Sequence, residues 1–236
     1  MLKTLKNLIA DFNAGRELKK HIPELRKDTK DRSAAELVDL LYSERWERFF
    51  WIKQVPSEIK SLANTVEELR PKVVVEIGTN MGGSLFLFTK KATHDALIIS
   101  IDLPGGLGGG GYPDFRAPFY RSFAGPDQTM HLLRLDSHQK DTYEQLLKLL
   151  DGKKIDFLFL DGDHSYEGIK MDFDMYSPLV RQGGIIAFHD IKPSLPDNWR
   201  QVGLYWEHIK QNYEYSEFLS NEETWGGIGI LKYREG

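Results

Sequence analysis

Residues 155–173 read IDFLFLDGDHSYEGIKMDF, and the fold is decided there. Ile155, Phe157, Leu158, Phe159 and Leu160 form a short, nearly continuous apolar run, the pattern of a strand covered on both faces of a parallel sheet. The run stops at a polar burst from Asp161 to Tyr166. Ile169, Phe173 and Tyr176 then recur at helical spacing. The order is strand, loop, helix, and the loop carries Asp161, Asp163 and His164. In an open α/β sheet, ligands bind in the crevice beyond the carboxyl ends of the strands. Asp163 or Ser165 suits the cap of the following helix, but a cap accounts for only one of these polar side chains.

The same grammar repeats on both sides of this stretch. Val73 to Ile77 is a buried strand containing Glu76. It runs into the turn Gly78-Thr79-Asn80-Met81-Gly82-Gly83-Ser84 and then the apolar helix Leu85 to Thr89. Glycines admit a ligand close to the backbone, and a helix N-terminus favours a negative group. The turn is neither the G-x-G-x-x-G fingerprint nor a P-loop. Ala96 to Ile101 is the next strand. It ends in Asp102, roughly 20 residues past the glycine turn, where doubly wound folds place a carboxylate on ribose hydroxyls. Met130 to Leu135 ends in Asp136, Ser137 and His138. Gly183-Gly184 is read as a helix breaker before the strand Ile185 to Phe188, which ends in His189 and Asp190. A helix over 202–209 and two strands around 213–219 and 227–233 complete the tail. A purely structural sheet has no need of a polar group at the end of every strand.

The remaining segments frame this core. Residues 1–20 form a helix with the stripe Leu2, Leu5, Ile9 and Phe12. His21 to Arg32 reads as a connector. Ser33 with Glu36 makes a capping box. Trp46, Phe49, Phe50 and Trp51 mark core or a subunit interface, and Pro56 opens a helix to Leu69. The expected division is a helical extension over 1–55, for packing or homo-oligomerisation, and an α/β domain over 56–236. Leu103 to Pro126, glycine-rich and then aromatic, reads as a lid beside Asp102.

Composition sets limits. The 236 residues are 41% hydrophobic and 28% charged, with a net charge of −4. That balance fits a globular protein and speaks against a general nucleic-acid partner. There is no cysteine, hence no disulfide and no thiolate chemistry. No signal peptide and no membrane-spanning run is read, so the expectation is a cytoplasmic protein without a membrane partner.

VVEIGTNMGGS, SIDLP, LDSH, FLDGDHSYEGIKMDF and GGIIAFHDI together resemble the class I S-adenosylmethionine-dependent methyltransferases. The nearest likeness is the cephalosporin hydroxylase-like branch, related to macrolide-sugar and rhamnosyl O-methyltransferases. The resemblance runs from about Gln54 to Asp190. It implies a Rossmann-like, doubly wound, seven-stranded and mostly parallel sheet whose last hairpin is reversed. It also implies that Glu76, Gly78, Thr79, Gly82 and Ser84 cradle the methionine end of the cofactor. Asp102 then holds the ribose, and Asp136, Ser137 and His138 flank the adenine. A divalent ion, Mg2+ or Mn2+, is implied on Asp161, His189 and Asp190, with Asp161 bordering the cofactor as well. Related enzymes carry a carboxylate where this chain has His189. An imidazole suits manganese, zinc or iron better than magnesium. His164 is the candidate base.

The expected activity is metal-dependent O-methylation of a hydroxyl on a sugar or other small natural product, with a glycosidic or polyol acceptor. Three readings compete with it. One is a metal-independent methyltransferase of another acceptor, one a nicotinamide dehydrogenase, and one a non-catalytic partner protein with the same fold.

Overall fold

The computed structural model describes residues 2–105, 111–192 and 199–234, with side chains from residue 10 onward. The N-terminal helices are α1 (Leu2–Lys20), α2 (Ile22–Asp28), α3 (Ala34–Leu41), the single turn α4 (Glu44–Glu47) and α5 (Pro56–Leu69). Strands and helices then alternate as β1 (Val73–Ile77), α6 (Gly83–Lys91), β2 (Leu97–Ile101), α7 (Ala117–Arg121), β3 (Thr129–Leu133), α8 (Lys140–Leu150), β4 (Ile155–Leu160), α9 (Tyr166–Tyr176) and β5 (Val180–His189). The tail is α10 (Val202–Ile209), β6 (Glu214–Phe218) and β7 (Ile228–Lys232).

The seven strands form one sheet in the order β3-β2-β1-β4-β5-β7-β6. β1 to β5 pair in parallel, whereas β7 is antiparallel to both β5 and β6. The doubly wound sheet with a reversed C-terminal hairpin is therefore as expected. The strand order turns back between β1 and β4, which places the ligand crevice at their carboxyl ends.

Alternation along each strand feeds two cores. Val74, Phe157 and Phe159 join Leu37, Leu62 and Phe86 on one face. Val75, Leu158 and Leu160 join Leu146, Ile169 and Phe173 on the other. Each such fully buried side chain is worth roughly 1.5–3 kcal/mol over its exposed state. The N-terminal segment belongs to the first of these cores, because Leu25, Leu41, Trp46 and Phe50 cluster with the sheet residues.

Several local expectations are corrected. The connector over His21 to Arg32 contains α2, with Pro23 in its first turn, where a missing N–H costs nothing. Gly183 and Gly184 lie inside β5 and break no helix. Gly183 has φ +72°, and a Cβ on Gly184 would stand 2.6 Å from Val180 Cγ1. The strand needs glycine there to turn and to pack closely. Gly106 to Gly110, in the expected lid, lie outside the described residues, as do the side chains of Leu2, Leu5 and Ile9. The aromatic half of that segment packs into the core. Tyr112, Phe119, Tyr120 and Phe123 are buried, and Phe119 and Phe86 meet Phe50 edge-on.

Candidate active site

One cleft of about 460 Å³ opens at the carboxyl ends of β1, β2, β3, β4 and β5. Gly78, Thr79, Ser84, Asp102, Asp136, Ser137, His138, Asp161, His164, His189 and Asp190 all line it. Glu76 lies beneath its floor, fully buried. Gly82 is turned away, packed under the ring of Tyr120.

On the β1–β3 side the backbone is shaped for close approach. Gly78 has φ +91°, and a Cβ there would fall 2.0 Å from the Asp161 carbonyl oxygen. Only glycine lets the first and fourth strands close up at the crossover. Gly82, at φ +85°, is the N-cap of α6. Asn80 adopts φ +44°, and its N–H donates to Asp102 Oδ2 at 2.8 Å. Burial raises the Asp102 carboxyl to about 6, against the pull of neighbouring backbone N–H groups.

Glu76 is the unusual group. Both of its oxygens are buried and neither has a hydrogen bond of normal geometry. Burial pushes its carboxyl up to about 8, although the hydroxyls of Ser84 and Thr79 oppose the shift. A buried carboxylate with no partner is costly, so it asks for a cationic ligand. The ammonium of a methionine moiety meets that demand, and the glycine turn leaves room for its backbone-like atoms. The residues present therefore fit S-adenosylmethionine.

The β4–β5 side has the opposite character. Asp161 Oδ1 faces His164 Nε2 at 3.2 Å and His189 Nδ1 at 3.1 Å. Asp190 approaches His164 Nδ1 at 3.2 Å and His189 Nδ1 at 3.5 Å. Two acids and two imidazoles thus alternate around a small ring of contacts. Burial alone would lower the two imidazoles and raise the two acids. Their mutual attraction wins, holding both carboxyls below the usual carboxylate range and raising His164 to about 10. His189 is raised for the same reason. Asp190 sits at φ +59°, a strained position for a residue with a Cβ.

As placed, the four groups face one another. His189 turns Nδ1 on Asp161, and its Nε2 is buried without a partner. The other Asp161 oxygen accepts from Gln54 Nε2 at 3.0 Å. Among the described residues, no three His, Asp or Glu side chains are grouped as metal ligands.

Four contributors escaped the sequence reading. Gln54 is buried and reaches the site from the segment before α5, held by Tyr42, whose hydroxyl donates to its carbonyl at 2.6 Å. Its Oε1 is buried without a partner. Trp199 lies parallel to His164, 9° between planes and 5.5 Å between centroids. Trp225 stands edge-on to His189. Glu58, buried in α5, holds the loop that carries Trp225 by accepting from the N–H groups of Ser220 and Gly227, each at 2.7 Å. Trp225 is marked in sequence only by the Trp225-Gly226-Gly227 run at the entry to the last strand, and no local pattern marks the other three.

A family model described as a methyltransferase domain matches residues 75–191. The chain thus carries a methyltransferase domain in the fold of the S-adenosylmethionine-dependent methyltransferases. An O-methyltransferase from Bacillus cereus, solved with SAH, superposes with a TM-score of 0.57 at 16% identity, covering 86% of this chain and 92% of that one. The O-methyltransferase TomG of tomaymycin synthesis from Streptomyces achromogenes, solved with SAM, gives 0.55 at 16% identity over 86% and 91%. The calicheamicin methyltransferase CalS11 gives 0.54 at 13% over 95% and 93%. Among curated proteins, an uncharacterized protein of Acanthamoeba polyphaga mimivirus is 34% identical over 132 residues, 56% of this chain and 57% of its own length. An uncharacterized protein of Sinorhizobium fredii is 26% identical over 146 residues, 61% of this chain but 16% of its own length. The chain thus spans less than two thirds of either relative. No helix of the described residues is long and apolar enough to cross a membrane.

Proposed function

We propose that this protein is an O-methyltransferase that moves the methyl group of S-adenosylmethionine to a hydroxyl of a small, ring-shaped acceptor. The observation that carries the cofactor half is Glu76, a fully buried carboxylate with no partner under a glycine turn. Bound cofactor supplies a methyl group on a sulfonium, ready for in-line displacement. Glu76 takes the ammonium. Gly78, Thr79 and Ser84 shape the methionine end, with Gly82 fixing the start of α6 from beneath. Asp102 holds the ribose hydroxyls, and Asp136, Ser137 and His138 border the adenine.

The acceptor half rests on His164. Its ring lies between Asp161 and Asp190 at the mouth of the cleft, and Trp199 fixes its plane. The acceptor hydroxyl meets the Asp161–His164–Asp190 cluster, and its proton passes to His164 as the methyl bond forms. The imidazolium that results is held by the two carboxylates. Trp199 and Trp225 offer flat apolar faces to a ring carrying the hydroxyl, which favours a sugar or another cyclic natural product within the wider methyltransferase class. Likeness to the cephalosporin hydroxylase-like branch points the same way.

In this reading Asp161, Asp190 and His189 Nδ1 serve the His164 cluster and Gln54, no three acidic or imidazole groups among the described residues are arranged as metal ligands, and methyl transfer runs without an ion. Calorimetric titration with S-adenosylmethionine is the first test, and saturable binding is expected. Methyl transfer to a panel of glycosides and cyclic polyols, run with and without chelator, is the second. Turnover that survives chelation is expected. A strict need for Mg2+ or Mn2+ would return Asp161, His189 and Asp190 to the role of metal ligands. Absence of cofactor binding would remove the methyltransferase reading altogether.

A further inference from the structure

The motif after β4 holds an acid that no step above uses. Asp172 projects from α9 and is completely buried. Its Oδ1 lies 3.2 Å from His138 Nε2, and neither of its oxygens has a hydrogen-bond donor in normal geometry. Its Oδ2 abuts the loop after β4, where a Cβ on Gly162 would stand 3.4 Å from it. One helical turn on, the Tyr176 hydroxyl donates to the Ser137 carbonyl at 2.5 Å. The His138 N–H is tied to Asp136 Oδ1 at 2.9 Å. α9 therefore grips the loop after β3 at two points, by its main chain and by its imidazole.

A carboxylate at zero exposure inside an amphipathic helix is costly, and packing gives no reason for it. What it touches gives one. An imidazole whose Nε2 faces a buried carboxylate at 3.2 Å has one tautomer favoured, with the proton on that nitrogen and the lone pair on Nδ1. His138 lines the cleft, so Nδ1 is the nitrogen left for a ligand. Burial raises the Asp172 carboxyl and the His138 imidazole draws it back down, while Asp172, Asp136 and Asp163 all raise the imidazole.

We propose that Asp172 is a positioning residue for cofactor recognition: it fixes the proton of His138 on Nε2, so that Nδ1 accepts a hydrogen bond from the exocyclic amino group of adenine. This rests on the reading that residues 136–138 flank the adenine. A deaminated base carries a carbonyl oxygen at the same position and meets Nδ1 lone pair to lone pair.

The test compares S-adenosylhomocysteine with S-inosylhomocysteine by calorimetry at a series of rising pH values, read where the ratio levels off, because neighbouring acids raise the His138 imidazole. The parent is expected to prefer the amino ligand by about tenfold, the worth of one such contact. Asp172→Leu removes the acceptor that holds the proton on Nε2, so the preference is expected to shrink towards equality. His138→Leu, which leaves the buried acid in place, is expected to bring the two affinities together. A merely structural Asp172 would weaken both ligands alike and leave their ratio unchanged. That result, or a His138→Leu protein that keeps the parent's ratio, overturns the proposal. A parent that binds the two ligands equally also overturns it. A parent that binds neither sinks the cofactor reading instead.

Discussion

The two halves of the cleft treat charge in opposite ways. Under β1, Glu76 stands alone, buried, with both oxygens unanswered. Beyond β4 and β5, Asp161, His164, His189 and Asp190 answer one another, with Gln54 as a fifth partner. The first half is incomplete until a cation arrives, and its cost is carried by the free protein. The second half pairs its charges internally, with His189 Nε2 and Gln54 Oε1 still buried without partners, and is poised to move a proton within itself. A buried acid without a partner is thus a stronger pointer to a bound cation than a denser cluster whose charges pair with one another.

The largest expected effect lies in the paired half. His164→Gln should lower kcat by about 10²–10⁴, the usual worth of a positioned acid–base group, while S-adenosylhomocysteine binds as before. Equal loss of cofactor affinity would show that the halves are not separate. In the unpaired half, Glu76→Gln should weaken S-adenosylhomocysteine by about 10- to 100-fold, as loss of a charged contact implies, and calorimetry reads it directly.

Stability should split in the opposite sense. Asp161→Asn strips two imidazoles of their shared partner and should cost about 2 kcal/mol in denaturant unfolding. Glu76→Gln exchanges a buried, protonated carboxyl for a neutral amide of similar shape, so the same measurement at neutral pH should show little change.

The pH dependence sharpens the contrast further. Glu76 holds its proton up to about pH 8 in the free protein. Pairing with an ammonium requires the carboxylate, so binding expels that proton. Cofactor affinity should therefore rise about tenfold per pH unit below that point and level off above it. A flat profile between pH 6 and about 8 would mean that Glu76 is already ionised. His164, raised to about 10, is charged at neutral pH and must lose its proton to act as a base. Turnover at saturating cofactor should thus climb through the alkaline range, where an ordinary histidine base would reach its plateau near pH 7.5, about one unit above its reference value.

The smallest effect should come from Gln54→Leu. It removes one donor from Asp161 and the unpaired Oε1, and should lower kcat by about three- to tenfold with the fold intact by circular dichroism. No change would make Gln54 a packing residue only.

Much of this contrast was visible in the linear chain. The buried strand over 155–160 and the turn at Gly78 announced the sheet, because strands covered on both faces read as unbroken apolar runs. Glu76, Asp102 and Asp161 stood out because a strand end is where such a run meets the ligand crevice. Other features stayed hidden. Gly183 and Gly184 looked like a helix stop, since close packing on Val180 and Asp156 has no local signature. The aromatics after Gly111 looked like a lid, since their partners Phe50 and Phe86 lie far away in sequence.

Local sequence, through apolar periodicity, turn chemistry and motif, determined the strands, their order of polar ends and the methyltransferase class. It named the acids and imidazoles of the candidate site. Which charges pair and which are left bare was decided only by the tertiary structure. Parallel pairing of β1 with β4 and of β4 with β5 brings Glu76, Asp161 and His189 to one end of the sheet. Long-range packing adds Gln54 from the N-terminal segment and Trp199 and Trp225 from the tail. Hydrogen bonds and buried charges depend on distances of a few ångströms, and separation along the chain does not encode those distances.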